Sequence, residues 1–332
     1  MNQNSNSLRA KITGTGSCLP EKVLTNFDLE KIVDTSSDWI IERTGISERR
    51  VASDSEAASD LAFVASREAL ESAGVKPEEL DLILVGTFSG DTVFPTVGNI
   101  LQARLGAVNA VSFDVSAACS GFIYILSIID SYIKTGKYKK VLAVGVDVVT
   151  KFVDWTDRGT CILFGDGAGA AVIEPSLNGS GIIDVNIGSD GRLGDILYIP
   201  GGGSRIPASE ESVKRGDHFM KMNGNEVFKV AVKTMERICV EILDKNSVAP
   251  SEVSIMIPHQ ANVRIIQAVA KRLDVPMEKV YINLDKYGNT SAGTIPIAID
   301  EASREGRIKH GDLVLMAAFG GGLTWGSALY RW

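Results

Sequence analysis

Cys119 stands in the segment 111–122, VSFDVSAACSGF, where a strand-like run gives way to small residues and then to the apolar helical run GFIYILSIIDSYI. A thiol at a helix start meets unpaired backbone N–H groups and the positive end of the helix dipole. Both favour thiolate and lower a cysteine pKa from its free value near ~8.5. The segment therefore predicts a nucleophile. The Ser-Ala-Ala and Ser-Gly neighbours keep bulk away from the sulfur, and the N–H of Cys119 can point at an oxyanion. The plain alternative is a packed cysteine at a helix start.

His259, in IPHQAN, lies between the strand-like VSIMI and the helical NVRIIQAVAKRL. Open α/β sheets present ligands at such strand-to-helix junctions, which suits a catalytic imidazole, although lone histidines are commonly structural. Asn289, in KYGNTSAG, precedes a further helix, where turn and N-cap chemistry also explains an Asn. In AFGGGLTWG the three glycines Gly320–Gly322 let backbone N–H groups approach a ligand, or simply turn the chain between two terminal strands. His218 and His310 fall in polar, loop-like settings and are expected to be exposed.

The elements that must position these residues alternate. Buried strands are expected at 81–86, 110–115, 140–146, 253–257 and 312–317, separated by helices such as 55–73, closed by Gly74, and 223–245. This is α/β organisation with parallel units. A Gly/Pro/Asn-rich seam at 174–181 divides the chain into halves 1–176 and 177–332 that repeat the same order of elements, so a duplication is suspected. The Gly-rich, apolar-poor segment 188–217 reads as a surface lid or an entrance loop. The run Gly165–Ala170 (GDGAGA) leads into strand-like AVIE rather than a helix, which excludes a dinucleotide-binding loop.

Composition narrows the class. The 332 residues are 45% apolar, enough for a large core, and the formal charge of −7 disfavours a general nucleic-acid or membrane surface. The polar segment 1–10 lacks the apolar stretch of a secretory signal, and the apolar run 121–129 is too short to span a bilayer. A soluble cytoplasmic protein is expected. The four cysteines form no Cys-x-x-Cys pair and the three histidines no His-Glu-x-x-His helix, so neither a metal nor a redox cofactor is expected.

Taken together, AACSGF, PHQAN, YGNTSAG and the closing FGGGLTWGSALYRW resemble the β-ketoacyl-acyl-carrier-protein synthase III family, and the likeness runs from KITGTGSCLP to Trp332. The resemblance implies the thiolase-like fold, two halves in stacked α-β-α-β-α layers, as a homodimer. It implies that Cys119 accepts an acyl group from acyl-CoA, with the N–H groups of Cys119 and Gly321 as oxyanion hole. His259 and Asn289 would bind the malonyl thioester oxygen, and Phe319 would stand beside the reacting centre. Trp39, Arg43 and Arg158 would hold the CoA nucleotide, Asn225 and Arg264 its phosphates or pantetheine. Phe94 would close the acyl pocket from the partner subunit.

The implied reaction is initiation of fatty acid synthesis: acylation of Cys119, then decarboxylative condensation with malonyl-acyl-carrier protein. Two uncharged donors suit a developing enolate, and no cofactor is required. Arg264, Lys271 and Arg272 lie on neighbouring stripes of one helix after His259 and offer a basic surface to an acidic carrier protein, unless they are a solvated helix face. A related condensing enzyme of secondary metabolism, a Cys-His-Asn thioesterase and a non-catalytic acyl-CoA binder are the competing readings.

Overall fold

The computed structural model describes residues 8–332. Most of the polar segment 1–10 read above therefore lies outside the described residues. Two mixed sheets carry the fold. The first contains β1 (Arg9–Cys18), β2 (Leu82–Gly86), β3 (Val111–Val115), β4 (Val141–Val148) and β5 (Asp166–Ser176), in the order β1-β5-β4-β2-β3. The second contains β6 (Gly181–Ser189), β7 (Ile255–Pro258), β8 (Leu313–Gly320) and β9 (Thr324–Arg331), in the order β7-β8-β9-β6.

The sheets share one plan. In the first, β4 runs parallel to β2 and antiparallel to β5, which runs antiparallel to β1. In the second, β8 runs parallel to β7 and antiparallel to β9, which runs antiparallel to β6. The counterpart of β3 is reduced to one parallel bridge, Met256 to Val280. The chain passes from one sheet to the other through residues 177–180.

Among the described residues, the seven helices of eight residues or more complete the layers: α1 (Ser37–Thr44), α2 (Ala58–Ala73), α3 (Val97–Leu105), α4 (Gly121–Lys134), α5 (Gly224–Lys245), α6 (Val263–Arg272) and α7 (Thr294–Arg304). Helices α2 and α3 bury Leu61, Ala65, Ala69 and Leu101 against one face of the first sheet. Helices α4 and α7 fill the space between the sheets, with Phe122, Leu126, Ile129, Ile295 and Ile299 in one shared core. Helices α5 and α6 cover the outer face of the second sheet through Met235, Ile238, Ile242, Ile266 and Val269. Strands covered on both faces read as unbroken apolar runs, as LILVG in β2 does.

Element ends follow local chemistry. Helix α2 starts at Ala58 rather than at 55, because the Asp60 carboxylate accepts from the Ala57 N–H at 2.9 Å and fixes the first turn there. Gly74 closes it in the left-handed region at φ 66°. The Asn223 side chain accepts from the Glu226 N–H and caps α5. The strand read at 312–317 extends to Gly320, and the run Gly165–Ala170 is itself mostly strand, within β5. The two halves touch most closely where side chains are absent. A Cβ on Gly145 would lie 2.2 Å from the Ala292 carbonyl oxygen, and one on Gly320 would lie 2.8 Å from the Cys119 nitrogen.

Candidate active site

Two short 3-10 turns face each other at the centre, Ala118–Ser120 before α4 and Ser291–Gly293 before α7. Each opens with a non-glycine residue in the left-handed region, Ala118 at φ 46° and Ser291 at φ 52°. Such backbone costs energy and is held only where the surroundings over-determine it. Ala118 tips Cys119 into the space between the sheets, and the thiol is buried.

His259 follows β7. Its N–H donates to the Ala317 carbonyl at 2.7 Å, and Nδ1 lies 2.7 Å from the Thr294 hydroxyl at the start of α7. With Nδ1 so engaged, Nε2 is the nitrogen left for the cavity that His259 lines. Asn289 is held by a parallel bridge to Phe164, its N–H donating to the Leu163 carbonyl at 2.8 Å and its carbonyl accepting from Gly165 at 3.1 Å. Its side-chain Oδ1 accepts from the Ser291 N–H at 2.8 Å, which turns the Nδ2 amide toward the cavity. Arg49, fully buried, braces the same segment by donating to the Ile162 carbonyl at 2.9 Å and to Asn26 Oδ1.

Two cavities meet at Cys119. A cleft of about 810 Å³ is lined by Cys119, His259, Asn289 and Phe319 at its inner end and by Trp39, Arg43, Asn225 and Arg264 farther out. A second space of about 530 Å³ lies on the other side of the sulfur, among Phe88, Val93, Phe152, Leu197, Ser291 and Gly321. The segment expected as a lid contributes Gly194, Leu197, Tyr198, Ile199 and two glycines to this second lining. At the outer cleft, Trp39 has the Arg158 guanidinium 4.8 Å and the Arg43 guanidinium 5.6 Å from its ring centroid. Arg158 also donates to the Asp34 carbonyl at 2.9 Å.

Several expectations need correction. Burial pushes the Cys119 thiol up to about 12, against the pull of Ser291 and Asn289, so the resting residue is a thiol rather than a thiolate. Desolvation outweighs the helix start. The same burial holds His259 down at about 3, so its imidazole is neutral at ordinary pH. Arg272 is exposed like Arg264 and Lys271, but Glu236 on α5 pairs with it at 2.9 Å and offsets its charge. His310 is exposed, but His218 is half-buried, its ring centroid 3.9 Å from that of Phe219 and its Nδ1 without a partner among the described residues. Phe94 is 83% exposed and does not line the cavity of its own chain. Ser291, Thr294 and Arg49 escaped the sequence reading. The NTSAGT run carried the first two, but nothing in it announces a left-handed serine.

A buried thiol between two cavities, faced by a neutral imidazole and an oriented carboxamide on a duplicated five-layer frame, defines a condensing acyltransferase with a thiolase-like fold. The family described as 3-oxoacyl-[acyl-carrier-protein] synthase III matches residues 113–191, and its C-terminal region matches residues 243–332. The chain belongs to this family, β-ketoacyl-acyl-carrier-protein synthase III. It is 54% identical over 325 residues to β-ketoacyl-[acyl-carrier-protein] synthase III of Caldanaerobacter subterraneus subsp. tengcongensis, covering 98% of both chains. The solved structure of 3-oxoacyl-[acyl-carrier-protein] synthase III from Aquifex aeolicus superposes with a TM-score of 0.90 at 51% identity, over 97% of this chain and 100% of that one. The priming β-ketosynthase of the R1128 polyketide pathway superposes at 0.89 with 34% identity, over 97% and 96% of the two chains. Identity is thus greater to these two synthase III enzymes than to the polyketide one. Among the described residues no helix is long and apolar enough to cross a membrane.

Proposed function

We propose that Cys119 takes an acyl group from an acyl-CoA and that the acyl-enzyme then condenses with malonyl-acyl-carrier protein, giving 3-oxoacyl-carrier protein, CoA and carbon dioxide. The observation that carries this reading is the pair of oriented donors beside the sulfur. The Thr294 hydroxyl, 2.7 Å from His259 Nδ1, can donate there and so leave the ring proton on Nε2, while the Ser291 N–H keeps the Asn289 amide turned outward. Loss of carbon dioxide from a malonyl thioester leaves enolate charge on the thioester oxygen. Two neutral donors in a dry site stabilise that charge more than the ground state. The carbanion then attacks the acyl thioester, whose oxyanion meets the N–H groups of Cys119 and Gly321. The oxyanion then collapses, the bond from acyl carbon to Cys119 sulfur breaks, and the departing thiolate takes a proton from solvent; the broken carbon–carbon bond supplies the electron pair of the new one, so the cycle balances with no metal or redox cofactor required.

The 810 Å³ cleft suits a pantetheine arm, and Phe319 walls its inner end. Trp39, between Arg43 and Arg158, gives an adenine and its phosphates a stacking plane flanked by charge, with Asn225 and Arg264 along the arm. The 530 Å³ space receives a short acyl chain. The acidic carrier protein meets Arg264 and Lys271 on α6, with Arg272 contributing less because of Glu236.

The enzyme acts as a homodimer through the unpaired edge of β3, where Val111 is 49% exposed, beside the exposed side chains of Val93, Phe94 and Val108. This arrangement carries Phe94 to the partner's acyl pocket. The cytoplasm suits four unpaired cysteines.

Intact-mass measurement after incubation with a panel of acyl-CoAs tests the function. One acyl group per chain is expected on Cys119, persisting until malonyl-carrier protein discharges it as product. Continuous release of CoA without malonyl-carrier protein would make the protein a thioesterase, and absence of any adduct would make it a binder.

A further inference from the structure

Ser291 is fully buried, and among the described residues its hydroxyl completes no hydrogen bond of good geometry. Buried hydroxyls are nearly always paired, so this one needs an explanation. Its backbone stands at φ 52°, which aims a side chain where a helical serine would not reach. On one side is Cys119, which lines the same cavity. On the other is Asp147, wholly buried at the end of β4.

The two oxygens of Asp147 are unequally occupied. Oδ1 accepts from the hydroxyls of Thr87 at 2.9 Å and Ser89 at 2.7 Å, and from the N–H groups of Phe88 at 2.9 Å and Ser89 at 3.1 Å. Oδ2 has only the N–H of Ala292, the residue after Ser291, at 3.2 Å. The Ser291 hydroxyl is close enough to both neighbours to hold down the pKa of each, although burial raises both.

We propose that Ser291 is a further catalytic residue, its hydroxyl donating to the Cys119 sulfur as negative charge develops there, and that Asp147 is the positioning residue that holds the hydroxyl in the resting enzyme. The inference rests on Cys119 being the acyl acceptor, as proposed above. In that step the bond from Cys119 sulfur to acyl carbon forms, the carbon–sulfur bond to CoA breaks, and the thiol proton ends on the CoA sulfur. Ser291 keeps its own proton throughout. The hydroxyl thus swings from the Asp147 carboxyl group to the sulfur, meeting the charge there with a further donor. Asp147 and the neutral His259 are the ionisable groups that face Cys119. The ends of β8 and β9 bring Phe319, Gly320 and Thr324 against its turn, and none of these titrates.

The test uses Ser291→Ala and Ser291→Gly in the full-length enzyme. Both retain the N–H that orients Asn289, and glycine adopts φ 52° without strain, so a stable variant without the hydroxyl is in hand even if alanine is poorly tolerated. Alkylation of the Cys119 peptide by iodoacetamide is followed by mass spectrometry against pH, beside the rates of acylation by acetyl-CoA and of malonyl-thioester decarboxylation. Loss of the donor disfavours the thiolate further, so alkylation at any given pH below the midpoint slows about tenfold, the equivalent of about one unit in the thiol pKa. The ratio of acylation to decarboxylation rates falls about tenfold with it. An alkylation profile unmoved in both variants overturns the proposal, as does decarboxylation falling in step with acylation, since Ser291 would then act only through Asn289. Failure of the wild-type enzyme to acquire any acyl group would sink the parent reading, while the alkylation shift would still report the hydrogen bond.

Discussion

The two central turns invite comparison. Both open on a left-handed non-glycine residue, and both close with the same backbone bond, Ser120 N–H to the Ala117 carbonyl at 3.1 Å and Gly293 N–H to the Thr290 carbonyl at 3.0 Å. Both lead into the helices that share the middle layer. The second position is Cys119 in one and Ala292 in the other, and the first is Ala118 against Ser291. One turn offers a sulfur. Its twin offers donors: a hydroxyl, an N–H that turns Asn289, and an N–H for Asp147. Two turns of one backbone plan thus place a sulfur on one side of the centre and hydrogen-bond donors on the other. Small changes of side chain, with no change of backbone plan, account for the division.

If the halves divide the work this way, changes in the second half should damage decarboxylation far more than acylation. Asn289→Asp replaces a donor with a repelling carboxylate, and malonyl-thioester decarboxylation should drop roughly 10²- to 10³-fold while Cys119 still acquires its acyl group. Measuring carbon dioxide release beside intact mass separates the two steps, and equal losses in both would dissolve the comparison. Thr294→Val removes the partner of His259 Nδ1 and frees the ring to place its proton on either nitrogen. A loss of about tenfold in decarboxylation is expected, with acylation little altered.

Lys271→Glu probes the outer rim of the second half. It should raise KM for malonyl-carrier protein about two- to fivefold and leave acylation from CoA unaffected, with steady-state kinetics at low salt as the readout.

The smallest expected effect concerns pH. Because burial holds His259 at about 3, well under its ordinary value of 6.5, the imidazole stays neutral through the working range. Decarboxylation should therefore show no inflection near pH 6.5, and one appearing there would mean the ring titrates. The sign for stability is opposite to that of a paired histidine. As pH falls from 6.5 toward 3, the unfolded chain takes up a proton that the folded one refuses, so the fold loses stability over that window.

Part of this was legible in the sequence because two of the candidate residues, Cys119 and His259, follow strands where an apolar run stops abruptly. Cys119 and His259 stood out as candidates from the ends of VSFDV and VSIMI, whereas Asn289 in KYGN read equally as turn and cap chemistry until the four motifs were taken together. What stayed hidden depends on groups distant along the chain. The protonation of Cys119 is decided by burial between two sheets, which the helix start does not reveal. The pairing of Arg272 needed α5 beside α6. The orientation of Asn289 depends on a serine whose φ has no signature in NTSAG, and the bracing of its segment on Arg49, 240 positions earlier. The lost counterpart of β3 was equally invisible, since one bridge at Val280 leaves no periodicity to read.

The glycine at the heart of the first sheet limits how the molecule can breathe. With the Ala292 carbonyl pressed where a methyl group at position 145 would sit, β4 and the turn before α7 cannot shift past one another without losing that fit. A rigid centre keeps the thiol and its facing donors in register from one turnover to the next. Room for a larger ligand is then left to the periphery, where the rim at 191–203 carries five glycines and is exposed or only half-buried throughout.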